Sequence, residues 1–240
     1  MAYDPATGTM LLFGGQSDRW PVYLGDTWSW NGTTWTRLSP PTSPSARLDA
    51  SIAYDAATRT VLLFGGEGKL HEGAYGSLSD TWSWNGTTWT KLSSPGNPGA
   101  ADNDSMAYDP ATATVLLLLG YPNGFDQTWS WNGTTWTRLS PPTSPPVSRG
   151  WSMAYDPATA TVLLFGGGSN RISTGPLLPR AVLGETWSWN GTTWTKLSPA
   201  GSPSARDGAS MAYDPGMQAM LLFGDGYDQE SNGTWTLRDP

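Results

Sequence analysis

The chain has no cysteine and a single histidine, His71, among its 240 residues. Without thiols there is no disulfide, no thiolate metal site and no cysteine nucleophile. One imidazole removes nearly every nucleophile–base and metal–histidine constellation, so neither a metal nor a cofactor is expected. Charge is sparse and mostly of one sign: 13 Lys and Arg stand against 20 Asp and Glu, for a net charge of −7. A polyanion partner needs clustered cations to neutralise its phosphates, and no such cluster exists, which argues against nucleic acid. Long apolar runs are missing too. The run at 115–119 (VLLLL) is strand-sized, far below the length of a membrane-spanning helix, so no membrane partner is expected. No leader peptide stands ahead of the first repeat, and Met1 falls where Met106, Met153 and Met211 stand in later copies. That placement is expected of a domain trimmed at a repeat boundary, or of an engineered chain.

What is present is repetition. The ten-residue string TWSWNGTTWT is printed four times, at 27–36, 81–90, 128–137 and 186–195. A shortened fifth version, SNGTWT, occupies 231–236. A second phrase, (M/I)AYD followed by an apolar run, recurs out of phase with the first, marked by Tyr3, Tyr54, Tyr108, Tyr155 and Tyr213. A period near fifty residues is the signature of propellers, solenoids or arrays. Five like units (approximately 1–50, 51–104, 105–151, 152–209 and 210–240) argue for one closed domain over the whole chain rather than several. The 15 Trp and 9 Tyr supply large buried areas, and 29 Gly with 20 Pro mark a turn-rich all-β chain.

The fourth copy shows how one unit reads. Ser152-Met153-Ala154-Tyr155 is a short strand ended by the turn Asp156-Pro157-Ala158-Thr159. Thr161-Val162-Leu163-Leu164-Phe165 runs apolar without alternation, as in a strand buried on both faces, and Gly166-Gly167 ends it. Thr186-Trp187-Ser188-Trp189 does alternate. Asn190-Gly191 then predicts a two-residue hairpin turn of the primed type, with both residues at positive φ, and Thr192–Leu197 returns as a fourth strand. This turn sets a register in which Trp30 faces Thr33, Trp28 faces Trp35 and Asp26 faces Arg37. Asp80 then faces Lys91, Gln127 faces Arg138 and Glu185 faces Lys196. The five Asn-x-Thr sequons (Asn31, Asn85, Asn132, Asn190, Asn232) are the turns themselves, so turn geometry explains them without glycosylation.

An Arg two or three residues from a Ser ahead of the first strand (Arg47, Arg149, Arg206), a Gly pair after the second (Gly14-Gly15, Gly65-Gly66, Gly166-Gly167) and spaced aromatics in the third and fourth together resemble the kelch-repeat family. The resemblance spans essentially the whole chain. It implies a β-propeller with one four-stranded antiparallel blade per repeat: five blades, the fifth degenerate and lacking the TWSW strand, with no strand shared between first and last blades. Closure then rests on face-to-face packing within a monomer, or on completion of the ring by oligomerisation. The third copy departs from the pattern, with Leu118-Leu119-Gly120 where others have Phe-Gly-Gly, and the fifth has Gly224-Asp225-Gly226.

The DPATxT turns and the Asn-Gly turns are expected at one end of the blades, where the copies hardly vary. The other end carries variable segments (16–25, 67–79, 121–126, 168–184, 225–230) and Pro-rich links (39–50, 93–104, 140–151, 198–209), the usual place for binding residues on a rigid scaffold. It gathers Trp20, Tyr23, His71, Tyr75, Tyr121, Phe125, Trp151, Arg171, Arg180 and Tyr227, with Arg47, Asp49, Asp102, Asp104, Arg149, Arg206 and Asp207 toward a central channel mouth. The arginines either bind backbone carbonyls and bridge neighbouring blades, or form a channel-mouth site with the three Arg converging. A cation held by Asp49, Asp102 and Asp207 is a lesser alternative. The reading preferred here is a non-enzymatic module presenting the variable face to a protein, peptide or glycan. Its alternatives are a recently amplified or designed scaffold with no dedicated ligand, and a glycan-active enzyme using the channel-mouth carboxylates.

Overall fold

The computed structural model describes residues 1–18, 22–70, 74–101, 104–120, 126–146, 148–169, 181–224 and 234–237. These residues form only strands, turns and links, with no helix among them. Four antiparallel four-stranded sheets follow one another along the chain, one per repeat. The first comprises Ala2–Asp4, Thr9–Gln16, Tyr23–Trp30 and Trp35–Leu38, and the second Ser51–Asp55, Thr60–Phe64, Thr81–Trp84 and Trp89–Leu92. The third is Ser105–Asp109, Thr114–Gly120, Asp126–Trp131 and Trp136–Arg138. The fourth is Arg149–Asp156, Thr161–Ser169, Thr186–Trp189 and Trp194–Leu197, with the short Ala181–Val182 paired to the end of Thr161–Ser169. The variable segment after the second Gly pair is not an open loop. Glu67–Lys69 pairs with Tyr75–Ser77 and with Arg47–Leu48 in a small sheet of its own.

The apolar second strands of the second, third and fourth sheets are buried on both faces, as their lack of alternation predicts, whereas in the first sheet only Leu11 is buried and in the fifth Phe223 is exposed. In Thr114–Gly120, Val115, Leu117 and Leu119 pack with Leu62 and Phe64 of the preceding sheet. Leu116 and Leu118 turn the other way, onto Val162 and Leu164 of the following one. A third cluster joins the first and second sheets through Leu11, Val61 and Leu63. The core is thus a series of layers between consecutive sheets, each sheet covering the next.

The hairpin register differs from the one read from the sequence. Trp30 pairs with Trp35, Trp28 with Arg37 and Thr27 with Leu38, and the other three copies follow suit. The loop is therefore four residues, Asn-Gly-Thr-Thr, and only its Gly has positive φ, near 95° in every copy. The Asn stays at negative φ because its side chain closes the loop instead: Asn190 Oδ1 accepts from the Thr192 and Thr193 backbone N–H groups at 3.1 and 2.9 Å. A two-residue shift keeps every side chain on its face, so two of the expected charge pairs survive as diagonal ones. Lys196 Nζ stands 2.5 Å from Glu185 Oε1 and Lys91 3.9 Å from Asp80 Oδ2. Each cation now sits opposite a tryptophan, Lys91 lying 6.0 Å from the Trp82 ring centre. The two conserved turns do share one end: a Cβ at Gly86, Gly133 or Gly191 would meet the methyl of Thr7, Thr58 or Thr112 in the preceding sheet at 2.9–3.1 Å.

The two tryptophans beside each loop have separate tasks. The first of the TWSW pair donates to a polar residue two positions earlier: Trp28 to Asp26, Trp82 to Asp80, Trp129 to Gln127 and Trp187 to Glu185, at 2.6–3.0 Å. The fourth-strand tryptophan reaches the neighbouring sheet. Trp89 donates to Thr27 Oγ1, Trp136 to Thr81 Oγ1 and Trp194 to Thr128 Oγ1, each at 3.0–3.1 Å and buried. Phe13 and Phe64 meet the rings of Trp89 and Trp136 edge-on, with centroids 5.4 Å apart.

The fifth sheet corrects a second expectation. Thr234–Leu237 pairs with Ala219–Phe223 in the register Phe223–Thr234, Leu222–Trp235, Met220–Leu237. That is the register by which Thr81–Trp84 meets Thr60–Phe64. Trp235 therefore stands where Trp28, Trp82, Trp129 and Trp187 stand, and the terminal TWTL is the third strand, not an eroded fourth. Among the described residues the fifth sheet has three strands. The threonine that accepts the inter-sheet indole bond should reveal its role directly. Thr81→Val strands a buried donor and should cost about 1–3 kcal/mol. Thr186→Val, at the equivalent place in the fourth sheet with no indole bound, should cost no more than a few tenths. Urea unfolding of the two variants measures the difference.

Candidate functional site

The first strands of all five repeats begin around one cavity of about 260 Å³. Its lining is layered, because equivalent positions sit at equal depth. One layer is Ser51, Ser105, Ser152 and Ser210; a second is Met1, Ile52, Met106, Met153 and Met211. The third, immediately ahead of the serines, is alanine in two copies and departs in the other two: Ala50, Asp104, Trp151 and Ala209. Ser51 Oγ and Trp151 Nε1 are buried here without a hydrogen-bond partner among the described residues, whereas Ser152 Oγ donates to the Ala209 carbonyl. The Trp151 ring lies across the ends of two sheets: a Cβ at Gly120 would stand 3.1 Å from its Cη2, and one at Gly167 would stand 2.7 Å from its Cδ1. Only glycine admits it. Being 5% exposed, Trp151 offers a ligand an edge rather than a face.

Arg47 and Arg206 are built into the links between sheets. Arg47 is 1% exposed. Its guanidinium donates to the Gly65 carbonyl at 2.9 Å, to Ser45 O and Oγ, and to both carboxylate oxygens of Asp80 at 2.6 and 3.0 Å. Arg206 makes the matching contacts to Gly224 O at 2.9 Å and to Ser204 O and Oγ, and lies 5.9 Å from the Trp235 ring centre. The link is drawn in tightly at this point: a Cβ at Gly65 would come within 2.7 Å of the Ala101 carbonyl, and Gly66 N–H donates to that same oxygen. Arg47, Ala101, Ser148 and Arg206 are thus the equivalent residues, each presenting its carbonyl to a glycine of the sheet before. Arg149 is one position out of step. It lies within the first strand of the fourth sheet, opposite Gly168, so the three arginines do not form one set.

The carboxylates separate in the same way. Asp49 has φ 52°, at the left-handed position that Gly150 (68°) and Gly208 (77°) fill elsewhere. Asp207 abuts Gly150. Of the described candidates Trp151 lines the cavity together with Asp104, while Arg47, Asp49, Arg149, Arg206 and Asp207 do not. The serine and methionine layers carried no charge or ring to mark them as site residues, although their repetition was the available signal. Trp20, Asp102 and Tyr121, with His71, Phe125, Arg171, Arg180 and Tyr227, lie outside the described residues. Among the described residues no group of three or more His, Cys, Asp or Glu side chains is placed to hold a metal ion. Tyr75 belongs to a second polar-aromatic group on the small sheet. Its ring meets Tyr23 edge-on at 4.9 Å, and Tyr23 OH donates to Glu67 Oε1 at 2.5 Å. That bond, with burial, pushes the Tyr23 hydroxyl up to about 12.

A scan against protein-family models finds no match to this chain, and a search of curated proteins finds none either.

The Arg47–Asp80 pair gives a pH-dependent test. Burial alone would raise the Asp80 carboxyl, but hydrogen bonds from Arg47 and Trp82 and the nearby cations hold it below its ordinary 3.8. A depressed folded-state value contributes stability above that ordinary value, and the contribution is lost as pH falls through the folded-state value. Arg47→Ala should therefore destabilise the chain by about 3 kcal/mol at pH 7, with a smaller difference from the parent at pH 2. Equal differences at the two pH values, read from urea midpoints, would remove Asp80 ionisation from the account.

Proposed function

We propose that the chain is a kelch-like, five-bladed β-propeller over residues 1–240 that acts as a non-enzymatic binding module for a peptide, protein or glycan. Each sheet would be a blade, the fifth shortened to three strands, with no strand shared between first and last. The observation that carries this reading is the cavity lined by residues at the start of all five repeats, whose lining departs most between copies immediately ahead of the serines. Binding is preferred to glycoside chemistry because Asp104 is the one carboxylate of the described lining, and hydrolysis of that kind uses two, about 5–9.5 Å apart.

The chemistry of the cavity favours a small polar group with cationic or hydroxyl character. Asp104 supplies an acceptor with charge and the serine hydroxyls supply donors and acceptors, in a lining that is mostly polar. Amide NMR titration with a panel of short basic peptides and neutral oligosaccharides tests the reading. Shifts should centre on Ser51, Asp104, Trp151 and Ser152, and Asp104→Asn should weaken a cationic ligand about tenfold. A panel member whose shifts fall only on the outer strands would sink the cavity as the site.

A further inference from the structure

The variable segment of the second repeat builds a small structure of its own. Glu67–Lys69 and Tyr75–Ser77 pair antiparallel, with Lys69 opposite Tyr75 and Glu67 opposite Ser77, and Arg47–Leu48 pairs along the other side of Glu67–Lys69. Side chains alternate across a strand, so Glu67, Lys69 and Tyr75 share one face. Arg47, opposite Gly68, belongs to the other face, where Asp80 holds it. Onto the first face comes Tyr23, from the third strand of the first sheet. Its hydroxyl donates to Glu67 Oε1 at 2.5 Å, and its ring stands at 80° to that of Tyr75 with centroids 4.9 Å apart. Two rings from different sheets thus meet as a corner rather than a stack. The corner is open, since Tyr75 is 46% exposed. It is also negative. The hydrogen bond to Glu67 raises the Tyr23 hydroxyl first, burial next, and the charges of Glu67 and Asp49 add to both. The ring faces themselves carry negative potential.

We propose that this corner, formed by Tyr23, Tyr75 and Glu67, is a binding site for a methylated ammonium group, the head of choline or of a trimethylated lysine side chain. The charge of such a group is spread over methyls that aromatic faces can cover. A cation lodged against both rings lies within about 6 Å of each ring centre, the reach of the cation–π attraction. A bare ammonium is compact and strongly hydrated, and gains less from leaving water. A sugar ring stacks on a flat aromatic platform, which two perpendicular rings do not offer. The corner is also set before a ligand arrives: Tyr23 is tied through Glu67, and Tyr75 through its strand pairing with Lys69. Little ordering is then left to oppose binding. Lys69 is the opposing charge on this face, directly across from Tyr75, and its removal should favour the ligand. None of Tyr23, Glu67 and Tyr75 lines the cavity between the first strands. The site is separate from that cavity and does not rest on the reading given to it.

The test is an amide NMR titration of the full chain with choline, with trimethyl-lysine, and with the neutral analogue of choline in which carbon replaces nitrogen. Saturable shifts at Tyr23, Glu67 and Tyr75 are expected with the cations, and the tighter of the two names the source of the group. The neutral analogue should bind about fivefold more weakly. Tyr75→Leu should weaken the cation about fivefold, whereas Tyr75→Phe, which keeps the ring, should bind within about twofold of the parent. Glu67→Gln keeps an acceptor for the Tyr23 hydroxyl while removing the charge, and should also weaken the cation about fivefold. Lys69→Gln should tighten it about twofold. Absence of shifts, equal binding of the neutral analogue, or a Tyr75→Leu variant that binds like the parent overturns the proposal. So do shifts centred on Ser51 and Asp104, which would assign the cation to the cavity instead.

Discussion

The indole–threonine bond between consecutive sheets is the constraint on which the rest of this structure hangs. Apolar burial is non-directional, and two sheets of leucine and valine can slide over one another at little cost. A tryptophan placed at the seam changes that. Its ring supplies roughly 4–6 kcal/mol by area alone, taken as an upper estimate, but its single N–H must find an acceptor in one place. Thr27, Thr81 and Thr128 are those places. Each bond therefore fixes the offset of one sheet on the last. The phenylalanines beside them limit the ring's tilt.

That constraint explains why ten residues can recur without a change while their surroundings drift. In the first three copies of TWSWNGTTWT the opening Thr receives an indole from the next sheet, and in all four the first Trp binds the acid or amide two residues before it. The second Trp packs against the last Trp of the string at 5.3–5.4 Å. Asn closes the loop with its side chain and Gly supplies the positive φ. The last Trp reaches the preceding sheet. At the opposite end the same task is met by different chemistry: Arg47 and Arg206 bind the carbonyls of Gly65 and Gly224, while Ala101 and Ser148 hold the corresponding place without a guanidinium. Variation collects where several solutions are equivalent.

The sequence made the strand order, the doubly buried second strands and the end shared by the invariant turns legible, because each rests on a local pattern of apolar and turn residues. It misled where two local readings compete. Asn-Gly fits a two-residue primed turn, but the following Thr-Thr lets Asn close a four-residue loop through its side chain, and no single-chain pattern separates the two. SNGTWT resembles the end of NGTTWT with one Thr deleted. Only its pairing with Ala219–Phe223 shows that Trp235 is a third-strand residue. The arginine set failed by one residue of spacing. A shift of one along a strand sends the side chain to the other face, so Arg149, inside the first strand of its sheet, is not the counterpart of Arg47, which stands ahead of one. The cavity lining was hidden for the opposite reason: serine and methionine look like filler until the sheets place them at one depth.

The same logic marks where the array is unfinished. Trp89, Trp136 and Trp194 are at most 2% exposed, but the equivalent Trp35 of the first sheet is 41% exposed. A Cβ at Gly32 in its loop meets nothing within 4 Å, unlike those at Gly86, Gly133 and Gly191. On the fifth sheet Phe223 is 57% exposed, where Phe64 is fully buried. These side chains are those that close the other junctions, so the first sheet displays an indole with no threonine beneath it, and the fifth a phenylalanine with no indole upon it. Each is the complement of the other. In a stack where every internal junction buries this pair, the two terminal faces carry the same association energy in unspent form.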